Sequence, residues 1–184
     1  MSRFSNDRLK SLTPYTPGEQ PKERKYIKLN TNESPFPPSA KAQEYAARAA
    51  ENLQLYSDPE CTQLHAKFAQ VSGVTPDMVL ATNGSDEILN FAFMAFCDDE
   101  HPAIFADITY GFYTVFAQLS GIPYEEIPLR ADFTVNPEDY ISIGKNIVLA
   151  NPNAPTGIPL PLFDIERIVE SNPDNVVIID EAYV

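Results

Sequence analysis

The sequence has few basic residues and no long apolar run, and each shortage counts against a class of protein. Lys and Arg together number 13 against 26 Asp and Glu, so the formal charge is −13, and no contiguous basic patch is present. Neither nucleic acid nor an anionic membrane surface is therefore expected as a partner. The longest apolar stretch, Ile88 to Cys97, is interrupted by Asn90 and is too short to span a bilayer.

Cysteine is also scarce. Cys61 and Cys97 are neither spaced as a pair nor accompanied by a histidine cluster, so inert thiols in a reducing compartment are the expected interpretation and no metal site is predicted. Residues 1–10 contain no apolar signal core, so secretion by that route is not indicated. We therefore expect a cytoplasmic protein.

The remaining composition is that of a globular protein. The chain has 184 residues, 43% of them apolar and 21% charged, which allows one sizeable core and predicts one domain or slightly more.

Residues 1–38 are rich in proline and show little periodicity, which predicts an extended arm. Within the arm, the amide and hydroxyl groups of Asn30 to Ser34 are suited to a polar ligand. Ordinary Asx-type turns are the competing interpretation.

Beyond the arm, apolar runs of strand type alternate with helical patterns. This order predicts an α/β fold with a parallel sheet and flanking helices, whose ligand lies along the carboxyl ends of the strands. The predicted helices are 39–53, 61–72, 86–96, one opening at 109–113, and 162–169; the predicted strands are 78–81, 103–106, 122–127, 146–150 and 176–180.

Gly84 lies between a predicted strand and the strongly apolar helix that begins near Asp86. Glycine allows a tight backbone turn, and the first amides of the helix then remain free at the positive end of its dipole. This arrangement suits a phosphate group. A plain capped helix explains the same residues, and glycine is scarce for a phosphate loop.

Three further stretches end at the same predicted edge of the sheet. Tyr110 follows the strand 103–106, and the proline-fixed, amide-rich loop Asn151 to Gly157 follows the strand 146–150. Asp180 ends an apolar run in which four β-branched residues are consecutive, and Tyr183 supplies a phenol three residues later. We predict that Asp180 meets a cationic ligand atom. The alternatives are a core role for Tyr110 and a helix cap for Asp180.

Six motifs in this order resemble the pyridoxal-phosphate aminotransferases of fold type I and, more narrowly, the histidinol-phosphate aminotransferases. The motifs are LNTNESPF, LYSDPE, ATNGSDE, TYGFY, NPNAPTG and VVIIDEAYV, and the resemblance runs from about residue 14 to the end of the chain.

The resemblance implies a role for each matched residue. The turn at Gly84 and the backbone amides of Ser85 and Asp86 would hold the cofactor phosphate, and Tyr110 would stack on the pyridine ring. Asp180 would pair with the ring nitrogen, which keeps the ring an electron sink. Tyr183 would donate a hydrogen bond to the ring oxygen O3′. Tyr56 would contact the phosphate in the partner subunit of a homodimer. The segment that contains Asn30 and Asn32 would cover the substrate.

The chain departs from the family pattern at two points. Ala154 stands where an asparagine usually contacts O3′, so Asn153 or water is expected to replace that contact. The Schiff-base lysine of the family lies beyond Val184, so no catalytic residue is assigned here. We therefore expect residues 1–38 to be the arm and residues 39–184 the first part of the large domain, with the small carboxyl-terminal domain absent.

The resemblance predicts an aminotransferase of histidine biosynthesis that moves an amino group between L-histidinol phosphate, or a related amino acid, and 2-oxoglutarate. One alternative is a threonine-phosphate decarboxylase with the same cofactor. Another is a truncated α/β module that binds a phosphate compound or a partner chain without catalysis.

Overall fold

The computed structural model describes residues 4, 12, 18–19, 21–24 and 26–184. The chain divides into two compact units, of which one spans Gly18–Thr82 and the other contains Asn83–Val184. The predicted division into an arm and a large domain at residue 38 stays a prediction.

The unit Gly18–Thr82 contains two helices, α1 (Ala40–Ala50) and α2 (Thr62–Ser72). Ser39 caps α1 as predicted, because its Oγ accepts the Ala42 N–H over 3.2 Å. The predicted strand 78–81 is wrong. A 3₁₀ turn occupies Pro76–Met78, and the Ala81 N–H that a strand would use for pairing donates to His65 Nε2 over 3.1 Å.

The unit Asn83–Val184 is built on a four-stranded, wholly parallel sheet in the order β2-β1-β3-β4. The strands are β1 (Ala103–Ala106), β2 (Tyr124–Ile127), β3 (Asn146–Ala150) and β4 (Val177–Asp180). The helices are α3 (Ser85–Phe96), α4 (Phe112–Ser120) and α5 (Leu162–Ser171), with a 3₁₀ turn at Pro137–Tyr140. The predicted parallel α/β fold is confirmed.

Alternate residues of the strands face two separate cores. Phe105, Val148 and Ile178 pack with α3 and α4, whereas Ile147 and Leu149 pack against the opposite layer, formed by α5 and Tyr140. Every residue of β1 and β3 is buried because both faces are covered. Continuous apolar runs, rather than alternating ones, are the sequence pattern that this arrangement requires.

The inward face of α4 differs from the prediction. The spacing of Phe112, Phe116 and Leu119 predicts that these three side chains face inward, but the buried side chains are Tyr113, Phe116 and Ala117. Leu119 is 37% exposed. Phe112 is partly buried against the same core, and the Tyr113 hydroxyl bonds to Asp180 at the end of β4.

Candidate functional site

A small cavity lies at the carboxyl edge of the sheet, where the sequence predicts a ligand. Its walls come from the start of α3, the segment after β1, the ends of β3 and β4, and the loops that follow those two strands. The lining residues are Ser85, Tyr110, Ala150, Pro152, Ala154, Asp180, Ala182 and Tyr183. Four separate motifs therefore meet in one place.

The start of α3 is suited to an anion. Gly84 has φ +83° and ψ 179°, a conformation that only glycine adopts readily. No side chain in the described part of the chain caps the helix. The Glu87 carboxylate accepts the Asn83 N–H over 2.8 Å. The first helical amides, those of Ser85 and Asp86, therefore lie at the positive end of the helix dipole without a side-chain cap.

Tyr110 is held in place beside this helix start. Its hydroxyl donates to Asp86 Oδ1 over 2.7 Å. Its ring stacks on Phe112 at a centroid distance of 5.5 Å and is nearly perpendicular to the Tyr113 ring, at a centroid distance of 5.7 Å. A fixed aromatic face of this kind provides a platform for a planar ligand.

Asp180 stands at the carboxyl end of β4, half-buried. Its Oδ2 accepts the Tyr113 O–H over 2.7 Å, and its Oδ1 accepts the Ala182 N–H over 3.2 Å. Burial, and after it the Asp180 carboxylate, raises the pKa of the Tyr113 phenol well above its ordinary value. The phenol is therefore the donor in this pair. Tyr183 lines the same cavity and is 48% exposed.

Asn153 is buried in the loop after β3, and its amide bonds to protein groups. Its Oδ1 accepts the Thr109 hydroxyl over 2.7 Å, and its Nδ2 donates to the Ile108 carbonyl over 2.9 Å. Asn153 thus ties this loop to the segment that carries Tyr110, while its neighbour Ala154 lines the cavity. The cofactor contact expected of Asn153 stays a prediction.

The other expected site residues lie in the unit Gly18–Thr82. Asn30 Nδ2 donates to the Glu19 carbonyl over 2.9 Å, Asn32 has φ +52°, and Tyr56 is fully exposed. Their roles toward substrate and partner subunit stay predictions, as does the lysine expected beyond Val184.

Sequence reasoning missed Tyr113 and Thr109. Tyr113 is one helical turn after Tyr110 in the TYGFY segment, on an otherwise apolar face. A buried tyrosine needs a partner for its hydroxyl, and the spacing of three residues from Tyr110 was the available signal.

Two features are absent from the described residues: a cluster of metal-binding side chains and a membrane-spanning helix. No group of three or more His, Cys, Asp or Glu side chains is arranged to hold a metal ion. No helix in the same part of the chain has the length and apolar character needed to cross a bilayer.

The chain is similar to known enzymes over its whole length. The model of the family "Aminotransferase class I and II" matches residues 24–184. A histidinol-phosphate aminotransferase of Marinomonas sp. (strain MWYL1) is 52% identical over 186 residues, which cover 100% of this chain and 53% of that protein. The chain thus spans about half the length of the curated relatives it matches.

Solved structures give the same likeness. A candidate histidinol-phosphate aminotransferase of Erwinia carotovora atroseptica superposes with a TM-score of 0.76 and 29% identity, over 84% of this chain and 47% of that one. The histidinol-phosphate aminotransferase of Sinorhizobium meliloti, solved in complex with pyridoxal-5′-phosphate, gives a TM-score of 0.77 at 23% identity, over 83% of this chain and 43% of that one. At the latter identity the likeness concerns the fold alone.

Proposed function

This chain belongs to the aminotransferase class I and II family, and on that premise we propose that the full-length protein is a pyridoxal-phosphate-dependent aminotransferase of histidine biosynthesis. Its proposed reaction moves an amino group between L-histidinol phosphate, or a related amino acid, and 2-oxoglutarate. The name of the Marinomonas relative supports this substrate. The fold is that of the fold type I pyridoxal-phosphate enzymes.

One observation supports the proposal most directly: the cavity joins an anion site and a carboxylate. Ser85 at the start of α3 and Asp180 at the end of β4 line the same cavity. Pyridoxal phosphate has a phosphate dianion at one end and a protonatable ring nitrogen at the other. The residues present therefore fit this cofactor.

The polar and aromatic residues at the cavity then have proposed tasks. The Ser85 and Asp86 amides bind the phosphate, and Tyr110, held by Asp86, supports the face of the ring. Asp180 holds a proton on the ring nitrogen, and Tyr183 donates a hydrogen bond to O3′. When bound, pyridoxal phosphate supplies an electron sink for bond breaking at the substrate α-carbon.

The rest of the proposed machinery involves the unit Gly18–Thr82 and a second subunit. We expect Tyr56 to reach the phosphate site of the partner in a homodimer, and its complete exposure within one chain is consistent with that task. Asn30 and Asn32 are the candidates for covering the substrate. The cytoplasm is the expected location.

The test is an assay of the full-length protein with pyridoxal phosphate, L-histidinol phosphate and 2-oxoglutarate, in which glutamate formation is measured. Steady glutamate production supports the proposal. Release of carbon dioxide from threonine phosphate without glutamate production would assign the protein to the decarboxylases. Absence of both reactions, with the cofactor bound, would favour a binding module.

A further inference from the structure

Tyr113 is a polar residue in a wholly buried position. Its side chain has no exposed surface, and its ring packs against Phe105 at a centroid distance of 5.7 Å. A phenol buried in this way requires a hydrogen-bond partner, and its partner is Asp180, which is 67 residues away in the chain. Because the carboxylate can only accept, the phenol must donate.

Asp180 is held by hydrogen bonds to its backbone and to its side chain. The backbone carbonyl of Asp180 accepts the Asn151 N–H over 2.9 Å, which holds the end of β4 against β3. The two carboxylate oxygens receive one donor each, from Tyr113 and from the Ala182 amide. A carboxylate has about four lone-pair sites, so acceptor capacity remains on the side chain that lines the cavity.

We propose that Tyr113 is a positioning residue that fixes the Asp180 carboxylate so that its unused lone pairs meet a cationic ring nitrogen in the cavity. This inference rests on the proposed function, since it presumes that pyridoxal phosphate binds there. Tyr113 has no exposed surface and is not among the residues that line the cavity, so its proposed effect is exerted through Asp180. Tyr113 is suited to this role because its ring is packed in the core. A binding group such as Asp180 must be held in orientation before the ligand arrives.

A merely structural role is the competing explanation. The bond between Tyr113 and Asp180 joins α4 to β4, so it contributes to folding in either case. A decisive test must therefore measure something that fold stability does not change. The difference in affinity between a ligand that has the ring nitrogen and one that lacks it is such a quantity. Only the ligand with the nitrogen can pair with Asp180, so only its affinity depends on the orientation of that carboxylate.

The experiment uses Tyr113→Phe in the full-length protein, freed of cofactor. The affinity for pyridoxal phosphate is compared with that for its carbocyclic analogue, in which CH replaces the ring nitrogen, by fluorescence titration. We expect the variant to bind pyridoxal phosphate about tenfold more weakly, because a carboxylate that Tyr113 no longer holds must be ordered when it pairs with the ring nitrogen. Binding of the analogue should be unchanged.

Tyr140→Phe is the matched control. Tyr140 is also a fully buried tyrosine, but it lies in the core on the opposite face of the sheet, and its hydroxyl has no hydrogen-bond partner among the described residues. This substitution removes the same atom and should change the affinity for neither compound.

Equal losses for both compounds, or no loss for either, would overturn the inference. A wild-type protein that binds no pyridoxal phosphate would overturn the proposed function itself and the inference with it. If Tyr113→Phe does not fold, 3-fluorotyrosine at position 113 retains the hydroxyl. Its ¹⁹F resonance should shift with pyridoxal phosphate much more than with the analogue, and identical shifts would reject the inference.

Discussion

Asp180 and Glu181 are adjacent carboxylates with different surroundings, which makes them a matched pair at the scale of single residues. Asp180 is half-buried, receives two hydrogen bonds and lines the cavity, whereas Glu181 is exposed. We expect Asp180→Asn in the full-length protein to lower turnover by at least about tenfold, because an amide cannot hold a protonated ring nitrogen and charged hydrogen bonds contribute about 1.5–3 kcal/mol.

Glu181→Gln removes the same formal charge one residue later and should leave turnover nearly unchanged. Thermal unfolding of both variants separates catalysis from folding, and we expect both to unfold close to the wild type. Near-normal turnover in Asp180→Asn would show that Asp180 does no more than organise the end of β4.

At the scale of elements, the start of α3 depends on the backbone of Gly84. A Cβ on Gly84 would meet no atom within 4 Å, so any cost of Gly84→Ala comes from its φ of +83° rather than from a clash. Such a conformation costs a non-glycine residue about 1–3 kcal/mol. We expect Gly84→Ala to lower stability by about this amount and to weaken pyridoxal phosphate binding, because the first amides of α3 move.

Gly73→Ala is the control for backbone strain. Gly73 ends α2 with φ +73° and has equal space around it, but it belongs to the other unit. Chemical denaturation should show a loss of stability in both variants, whereas a cofactor titration should show weaker binding only in Gly84→Ala. Unchanged cofactor affinity in Gly84→Ala would separate the glycine turn from phosphate binding.

The elements also show what the sequence can and cannot predict. β1 and β3 have the bounds that the sequence predicts because a strand buried on both faces is a nearly continuous apolar run, in which Asn146 is the one polar residue here. The segment 78–81 is equally apolar, but its Ala81 N–H donates to His65 instead of to a neighbouring strand. A local sequence pattern does not specify which partner a backbone N–H will find. The bond from Tyr113 to Asp180 was missed for the same reason, since its two ends are 67 residues apart.

At the scale of the whole molecule, the large negative charge includes carboxylates that hold turns together. The pKa of Asp58 is lowered chiefly by the Thr62 backbone N–H, and that of Asp132 chiefly by the Thr134 hydroxyl. A lowered folded-state pKa gives stability that is present above the unfolded value of about 4 and is lost as the pH falls through the folded value. We therefore expect the melting temperature to fall as the pH drops below about 4, and Asp132→Asn should flatten that decline. An unchanged decline in the variant would exclude this carboxylate as a source.

The net charge of −13 also opposes a tendency of this 184-residue chain to associate. Large apolar side chains are exposed in both units, among them Leu53 at 79%, Phe68 at 57% and Phe163 at 68%. β2 and β4 form the two edges of the sheet, so each has one side that no described strand pairs with. Exposed apolar surface and open strand edges favour association.

We therefore expect a polypeptide of residues 1–184 to self-associate at micromolar concentration, and to do so more strongly as salt is added. Salt screens the repulsion among negative charges, with a Debye length of about 10 Å at 0.1 M, but leaves apolar contacts intact. Light scattering at low and high sodium chloride measures the effect, and the full-length protein, expected as a discrete dimer, is the comparison. A salt-insensitive monomer that unfolds in one cooperative transition would show that these apolar surfaces are tolerated in water, and that the 184 residues need no further chain to cover them.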